Sequence, residues 1–159
     1  MGRQDIKTNV MRILDKEKIK YNHYTYEGDG STTGEEVAAR LGQNPAQVFK
    51  TLVTIGKSKD YYVFVIPVEK ELNLKLAALS VGEKSIEMIK SKDLLNVTGY
   101  IHGGCSPIGM KKKFKTTIDL QAEEFETIIF SGGKIGCQIE LSLSDLKKVI
   151  DFQLSKVAD

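Results

Sequence analysis

The sequence predicts an α+β fold, a mixed and mainly antiparallel sheet with helices packed around it. Three observations lead there. Helix-period and strand-period stretches are interspersed along all 159 residues. Two β-rich runs, "VFKTLVTIG" and "YYVFVIPV", are separated only by "KSKD", far too little chain for a parallel crossover. Three further strand candidates follow a glycine-rich stretch in the second half. No repeat or linker interrupts the chain, and its length suits one domain, 1–159, with a sizeable core.

Taken in order, Ile6, Val10, Ile13 and Leu14 recur at helical spacing, so residues 5–18 read as an amphipathic helix. "YNHYTY" (21–26) is a strand, and "GDGSTTG" is the loop that leads into a second helix. Thr33 and Glu36 form a capping-box pair for that helix, and Gly42 stops it. Asn44 as cap with Pro45 at the first position predicts a short helix at "NPAQ". The two β-rich runs form a hairpin. Residues 73–81 read as a helix ending at Gly82, and 83–97 as a further helical stretch interrupted near Ser91. "KTTIDL", "ETIIFSG" and "IGCQIELS" are strands. A last helix starts near Ser144, with Leu146, Val149, Ile150 and Leu154 on one side.

Composition narrows the function. A net charge of +2, from 23 basic and 21 acidic residues, does not advertise general nucleic-acid coating, so any basic patch must come from local clustering, as in Lys111–Lys115. The longest apolar run is too short to cross a bilayer, and "MGRQDIKTNV" carries neither an apolar signal region nor, with Ile6, a myristoylation pattern. A soluble intracellular protein is expected. With only two histidines and two cysteines and no HExxH or CxxC, a metal site is not expected. Walker A, GxGxxG and GxSxG patterns are all missing.

One stretch stands out: "TGYIHGGCSPIGMKKKFK" (98–115). Its glycines let backbone N–H groups approach an anion, and Pro107 holds Ser106 extended. It also carries His102 and Cys105 three residues apart. The residues alone leave three readings open: an anion or oxyanion cradle, a cysteine nucleophile with His102 as base, and a flexible loop before a basic run. Cys137 and His23 fall within strand patterns, as a core thiol and a satisfied or exposed histidine. In "VFKTLV", alternation puts Val48, Lys50 and Leu52 on one face and Phe49, Thr51 and Val53 on the other. On so apolar a strand, Lys50 either snorkels or projects its ammonium into a pocket.

These residues resemble a known family. "VFKTL", "GYIHGGCSPIG", the following "MKKKF" and "SGGKIGCQIELS" are similar to the YbaK-type Cys-tRNA(Pro) deacylases, relatives of the editing domain inserted in some prolyl-tRNA synthetases. The likeness runs from "KTNVMRILDKEKIKY" to the last helix, and the pairing of a "VFKTL" strand with a "GGxSPxG" loop is its specific part.

The resemblance implies a partly barrel-like sheet ringed by helices and a cytoplasmic trans-editing deacylase. It would remove cysteine from Cys-tRNA(Pro), with Cys-tRNA(Cys) as a further candidate, through attack by the substrate's own thiol. It would use no cofactor or metal. Its partners would be the 3′ CCA end of aminoacyl-tRNA and prolyl-tRNA synthetase, not DNA or membrane. Carried over, the catalytic residues fall on Lys50, Gly103 and Tyr26, with Tyr24 competing for the tyrosine position. Thr51, Gly104, Ser106 and Pro107 would bind substrate, backbone N–H groups near Gly103 and Gly104 receiving the carbonyl oxygen. Lys111, Lys112 and Lys113 would meet the acceptor-stem backbone, and Cys105 sits at the loop's variable position. Two rivals remain at this stage: an editing enzyme for alanine, serine or threonine, and a catalytically silent module that binds tRNA ends or synthetases.

Overall fold

The computed structural model describes residues 7–159, so Ile6 of the first expected helix lies outside the described residues. The first helix, α1, spans Asn9–Lys16, capped by Thr8 Oγ1, which accepts from the Met11 amide. It buries Val10, Met11 and Leu14. Strand β1 (Asn22–Thr25) leads through the glycine loop to α2 (Gly34–Arg40), where both halves of the Thr33–Glu36 capping box are present. The hairpin is β2 (Phe49–Gly56) and β3 (Tyr61–Pro67). Helix α3 (Leu74–Val81) starts at the Asn73 cap and ends at Gly82, whose φ of 75° suits a glycine.

Beyond α3 the chain departs from expectation. Residues 83–97 do not begin as a helix: Ile86–Met88 form a short strand, β4, and helix returns only as the 3₁₀ turn Ser91–Asp93 and α4 (Leu94–Thr98). Ile86 is drawn into the core beside α3, and β2 pairs with this segment. The remaining elements are β5 (Lys115–Asp119), a 3₁₀ turn (Leu120–Glu124), β6 (Ile128–Ser131), β7 (Cys137–Leu141), α5 (Leu143–Leu146) and β8 (Gln153–Ser155).

Two more local expectations are corrected. "NPAQ" makes a turn, not a helix: the Asn44 carboxamide accepts from Ala46 N at 3.0 Å and the Asn44 carbonyl from Gln47 N at 2.9 Å. The Gln47 carbonyl then accepts from Ile129 N, which pulls the chain into a strand bridge before a second helical turn can form. The last helix stops at Leu146, and Leu154 lies in β8 opposite Ile118. Parallel pairing with β5 outweighs the helical period there, supported by Gln153 donating to Thr117 Oγ1 and to the Ser80 carbonyl.

The strands form an antiparallel sheet in the order β1-β7-β6 and a five-stranded mixed sheet in the order β4-β2-β3-β5-β8. β4, β2 and β3 run antiparallel, whereas β5 pairs parallel with both β3 and β8. Both parallel pairings join strands separated by long stretches of chain, as crossovers require. A bridge from Val48 to Ile129 links the sheets, and their facing sides share one core, Phe49, Val53, Val63 and Val65 meeting Phe130, Ile139 and Leu141. The outer face of the mixed sheet packs Tyr62, Phe64 and Ile66 against Ala77 and Ala78 of α3 and against Val157 and Ala158. Helices thus surround a mixed, mainly antiparallel β-structure.

The segment after β8 is fastened by one carboxylate. Buried Asp119 accepts from Val157 N at 2.9 Å and Ala158 N at 3.0 Å through Oδ1, and from Gln121 N through Oδ2. Asp119→Ala strands two amides of residues with no solvent exposure. It should cost about 2–4 kcal/mol, read by urea unfolding, whereas a loss below about 0.5 kcal/mol would mean that the carboxylate is dispensable.

Candidate active site

β4 pairs with β2 only from Thr54 to Gly56, and the bridge at Val48 closes the other end. The intervening edge of β2 faces a cavity of about 600 Å³. Because the cavity meets the strand at its edge, side chains from both faces reach it. Lys50 lies opposite Ile66 and Thr51 opposite Val65, so they lie on different sides of the sheet, yet both line this one space. Lys50 is half-buried, and among the described residues it has no carboxylate within ion-pair distance. Thr51 Oγ1 is buried without a hydrogen-bond partner. Such a group forfeits the hydrogen bonds it would make in water, at a cost of about 1–3 kcal/mol.

The opposite wall is built from glycine loops. Gly103 has φ 89° and Gly30 φ 95°; a Cβ on Gly103 would stand 3.0 Å from the Gly30 Cα and 3.4 Å from its carbonyl oxygen. A Cβ on Gly104 would lie 3.1 Å from Ile135 N. "GDGSTTG", "HGGCSPIG" and "GGKIG" therefore approach one another backbone to backbone, as side chains at these points would prevent. The Gly104 amide donates to the Ile101 carbonyl at 3.0 Å, so it is spent within the turn. The Gly103 amide has no backbone partner among the described residues. This narrows the expected pair of oxyanion donors to Gly103.

Tyr26, Lys50, Thr51 and Gly103 all line the cavity. Tyr26 is held by its amide donating to the Gly136 carbonyl at 2.9 Å, whereas Tyr24 hydrogen-bonds Glu140 and does not line the cavity. Other expected residues sit elsewhere. Ser106 and Pro107 are buried behind the loop, where Ser106 Oγ accepts from Ile108 N and ties the loop to core residue Ile108. Gly104 is buried beside them. Lys111, Lys112 and Lys113 are exposed and outside the cavity, with Lys111 donating to the Asn96 carbonyl.

Cys105 and His102 both border the cavity, but no hydrogen bond joins them. Burial pushes the Cys105 thiol up to about 12, which leaves roughly one thiolate in 10⁵ at pH 7. The missing contact with His102 and the raised thiol both count against a cysteine nucleophile and favour the other readings of the loop. Cys137 is a buried core thiol, and His23 is exposed on β1.

Sequence reasoning missed Gln138. It is 5% exposed, reaches the cavity, and pairs reciprocally with Gln43, whose Nε2 donates to Gln138 Oε1 at 2.7 Å while Gln138 Nε2 donates back at 3.3 Å. A lone glutamine between buried Cys137 and Ile139 was the available signal. Ser131, Ile89 and Leu94 also border the space, and nothing in their local sequence announces it.

Known proteins share this chain's sequence and shape. A model of the aminoacyl-tRNA editing domain matches residues 28–149. The chain is 42% identical over 152 residues, 95% of its own length and 93% of the relative's, to a protein of Enterococcus faecalis with the provisional name Cys-tRNA(Pro)/Cys-tRNA(Cys) deacylase EbsC. It is 31% identical over 100 residues to a proline–tRNA ligase of a Geobacter species, spanning 63% of this chain and 17% of the ligase. A solved structure provisionally described as a trans-editing enzyme for prolyl tRNA synthetase superposes with a TM-score of 0.82. That match covers 97% of this chain and 99% of that one at 18% identity, a likeness of fold.

Two tests address the geometry. Gly103→Ala forces a side chain into a left-handed conformation against Gly30 and should cost about 2 kcal/mol, lowering Tm by roughly 4–8 °C; an unshifted Tm would show that the loops part freely. In a Cys137→Ser background, alkylation of Cys105 by iodoacetamide should still be accelerating at pH 10, because burial disfavours the thiolate. A plateau below pH 9 would contradict that.

Proposed function

The chain belongs to the aminoacyl-tRNA editing domain family, and on that premise we propose that it is a deacylase that removes cysteine from mischarged Cys-tRNA(Pro), with Cys-tRNA(Cys) as a second substrate. Residues 1–159 act as one editing unit in the cytoplasm. The observation that carries the reading is the unpartnered Thr51 hydroxyl beside Lys50, facing the Gly103 loop across one cavity. A buried polar group left without a partner is repaid by a ligand that supplies one.

In this reading the 3′ CCA end enters the cavity with its aminoacyl ester at the glycine loop. Lys50 holds the terminal phosphate or ribose, since among the described residues no carboxylate competes for its charge. Tyr26 shapes the wall, and Thr51 Oγ1 hydrogen-bonds the bent substrate. The Gly103 N–H donates to the carbonyl oxygen as negative charge develops there. With Cys105 held as a thiol, the nucleophile is the substrate's own sulfur. A C–S bond forms as the ester C–O bond breaks, the thiol proton passes to the departing ribose oxygen, and the cysteine leaves as a thiolactone. The ester is already activated, so positioning supplies most of what the reaction needs.

The need follows from recognition physics: a pocket that accepts proline cannot exclude the smaller cysteine by size, so a second site must discriminate. The Geobacter match is a proline–tRNA ligase, which supports prolyl-tRNA synthetase as a working partner. In this reading Lys111, Lys112 and Lys113, exposed outside the cavity, meet the acceptor-stem backbone.

The test is deacylation of Cys-tRNA(Pro), with Ala-tRNA(Pro) and Ser-tRNA in parallel. Lys50→Ala should lower kcat/KM on the cysteine substrate about 100-fold. Thr51→Val, which removes a hydroxyl with nothing to bond, should lower kcat/KM about tenfold without loss of stability to urea. Turnover of the alanine or serine substrates in preference to cysteine would move the protein to another editing branch. Binding without any turnover would make it a tRNA-end recognition module.

A further inference from the structure

A second cleft, about 330 Å³, opens at the far end of the same hairpin, bordered by Lys59, Tyr61, Lys113, Phe114 and Lys115. Two chain segments meet there because β5 runs parallel to β3, with Lys115 opposite Tyr62. The Tyr61 and Phe114 rings pack edge to face, 5.9 Å apart, and give the cleft an apolar side. The segments 57–60 and 111–115 carry six exposed lysines, against Asp60, which also borders the cleft, and Glu83, which accepts from Ser58 N in the turn and from the Tyr62 hydroxyl. None of these lysines is in an ion pair among the described residues. On a chain whose net charge is only +2, this is a strongly polarised end.

A second, independent observation concerns the backbone. In the hairpin turn the Lys59 amide donates to the Gly56 carbonyl at 2.9 Å and Lys59 has φ 79°. Glycine takes that position in turns of this kind without strain. A lysine held there keeps its charge at the tip against the preference of its backbone, and strain of this sort collects where a side chain is used.

We propose that this cleft is a binding site for the ribose-phosphate backbone of RNA, separate from the editing cavity. Its lysines take the phosphates, while the edge-to-face aromatic pair gives an apolar side against which a ribose packs. Lys57, just past the end of β2, lies seven positions from Lys50, about 24 Å at strand rise. That is on the order of seven nucleotides of a stacked strand. An RNA whose 3′ end occupies the cavity would therefore reach the cleft with its double-stranded part rather than with its terminal nucleotides. The choice of tRNA as the RNA rests on the deacylase reading; the cleft's chemistry does not.

The experiment uses Lys59→Gly/Lys115→Ala, with Lys16→Ala/Lys20→Ala at the end of α1 as a control of equal charge change. Binding of uncharged tRNA is followed by fluorescence anisotropy across a salt series. Deacylation is measured on Cys-tRNA(Pro) and on a cysteinyl ester of a short CCA-ended oligonucleotide. The cleft variant should bind tRNA roughly tenfold more weakly at low salt, with a log–log salt slope smaller by about two. It should keep wild-type turnover of the short ester and, with glycine in the turn, melt no lower than wild type. Equal affinity and slope for wild type and variant, or an equal loss in the control, would overturn the cleft. Failure of the wild type to deacylate either substrate would sink the editing reading alone, because the anisotropy comparison needs no turnover.

Discussion

Seven cross-strand pairs, from Phe49 opposite Pro67 to Ile55 opposite Tyr61, hold the β2–β3 hairpin in one register. Side chains alternate between faces, so a slip of one residue would exchange the core shared by the two sheets for the one beneath α3. The same slip would exchange the sides on which Lys50 and Thr51 emerge. Both faces of the hairpin are buried, which makes that register expensive to lose. The cavity then arises from what the hairpin lacks: a neighbour along Phe49–Leu52, since β4 is only three residues long and the last bond on this edge runs from Ile89 N to the Val53 carbonyl. A short edge strand is usually a way to blunt aggregation; here it leaves room for a ligand.

The hairpin was legible because alternation and a four-residue connection are local facts. The capping box of α2 and the glycine stop of α3 were legible for the same reason. What escaped was decided at long range. Leu154 fits a helical stripe with Leu146 and Ile150, but β5 offered a parallel edge that no local pattern reveals. Ile86–Met88 is too short to show alternation, and its pairing depends on where β2 ends. Asn44 and Pro45 carry a helix-start signature, yet Ile129, more than eighty residues away, captures the Gln47 carbonyl.

Family likeness named several residues that line the cavity, and the physics of individual residues accounts for the rest unevenly. Lys50 was conspicuous as a charge in an apolar strand. Thr51 was not, since a threonine in a strand is ordinary and only the packed structure reveals its missing partner. Ser106 and Pro107 matched the motif but serve it from behind, anchoring the loop to the core. Gln138 and Gln43, ninety-five residues apart, each donate one bond to and accept one from the other. That neutral pair lets a polar floor exist without a buried charge.

The contact between Gly30 and Gly103 has a consequence for how such a site can vary. A side chain on Gly103 would need the volume that the Gly30 backbone fills, and one on Gly30 would meet the Ile135 side chain and the His102 carbonyl, so the two loops constitute one unit of inheritance despite lying more than seventy positions apart. A chimera that takes its "GGCSPIG" segment from a relative has to take the matching stretch around "GDGSTTG" with it. Drift in either loop is confined to residues pointing away from the seam. The walls of the pocket can therefore be retuned at Thr32 or Cys105, while the seam between the loops stays glycine on both sides.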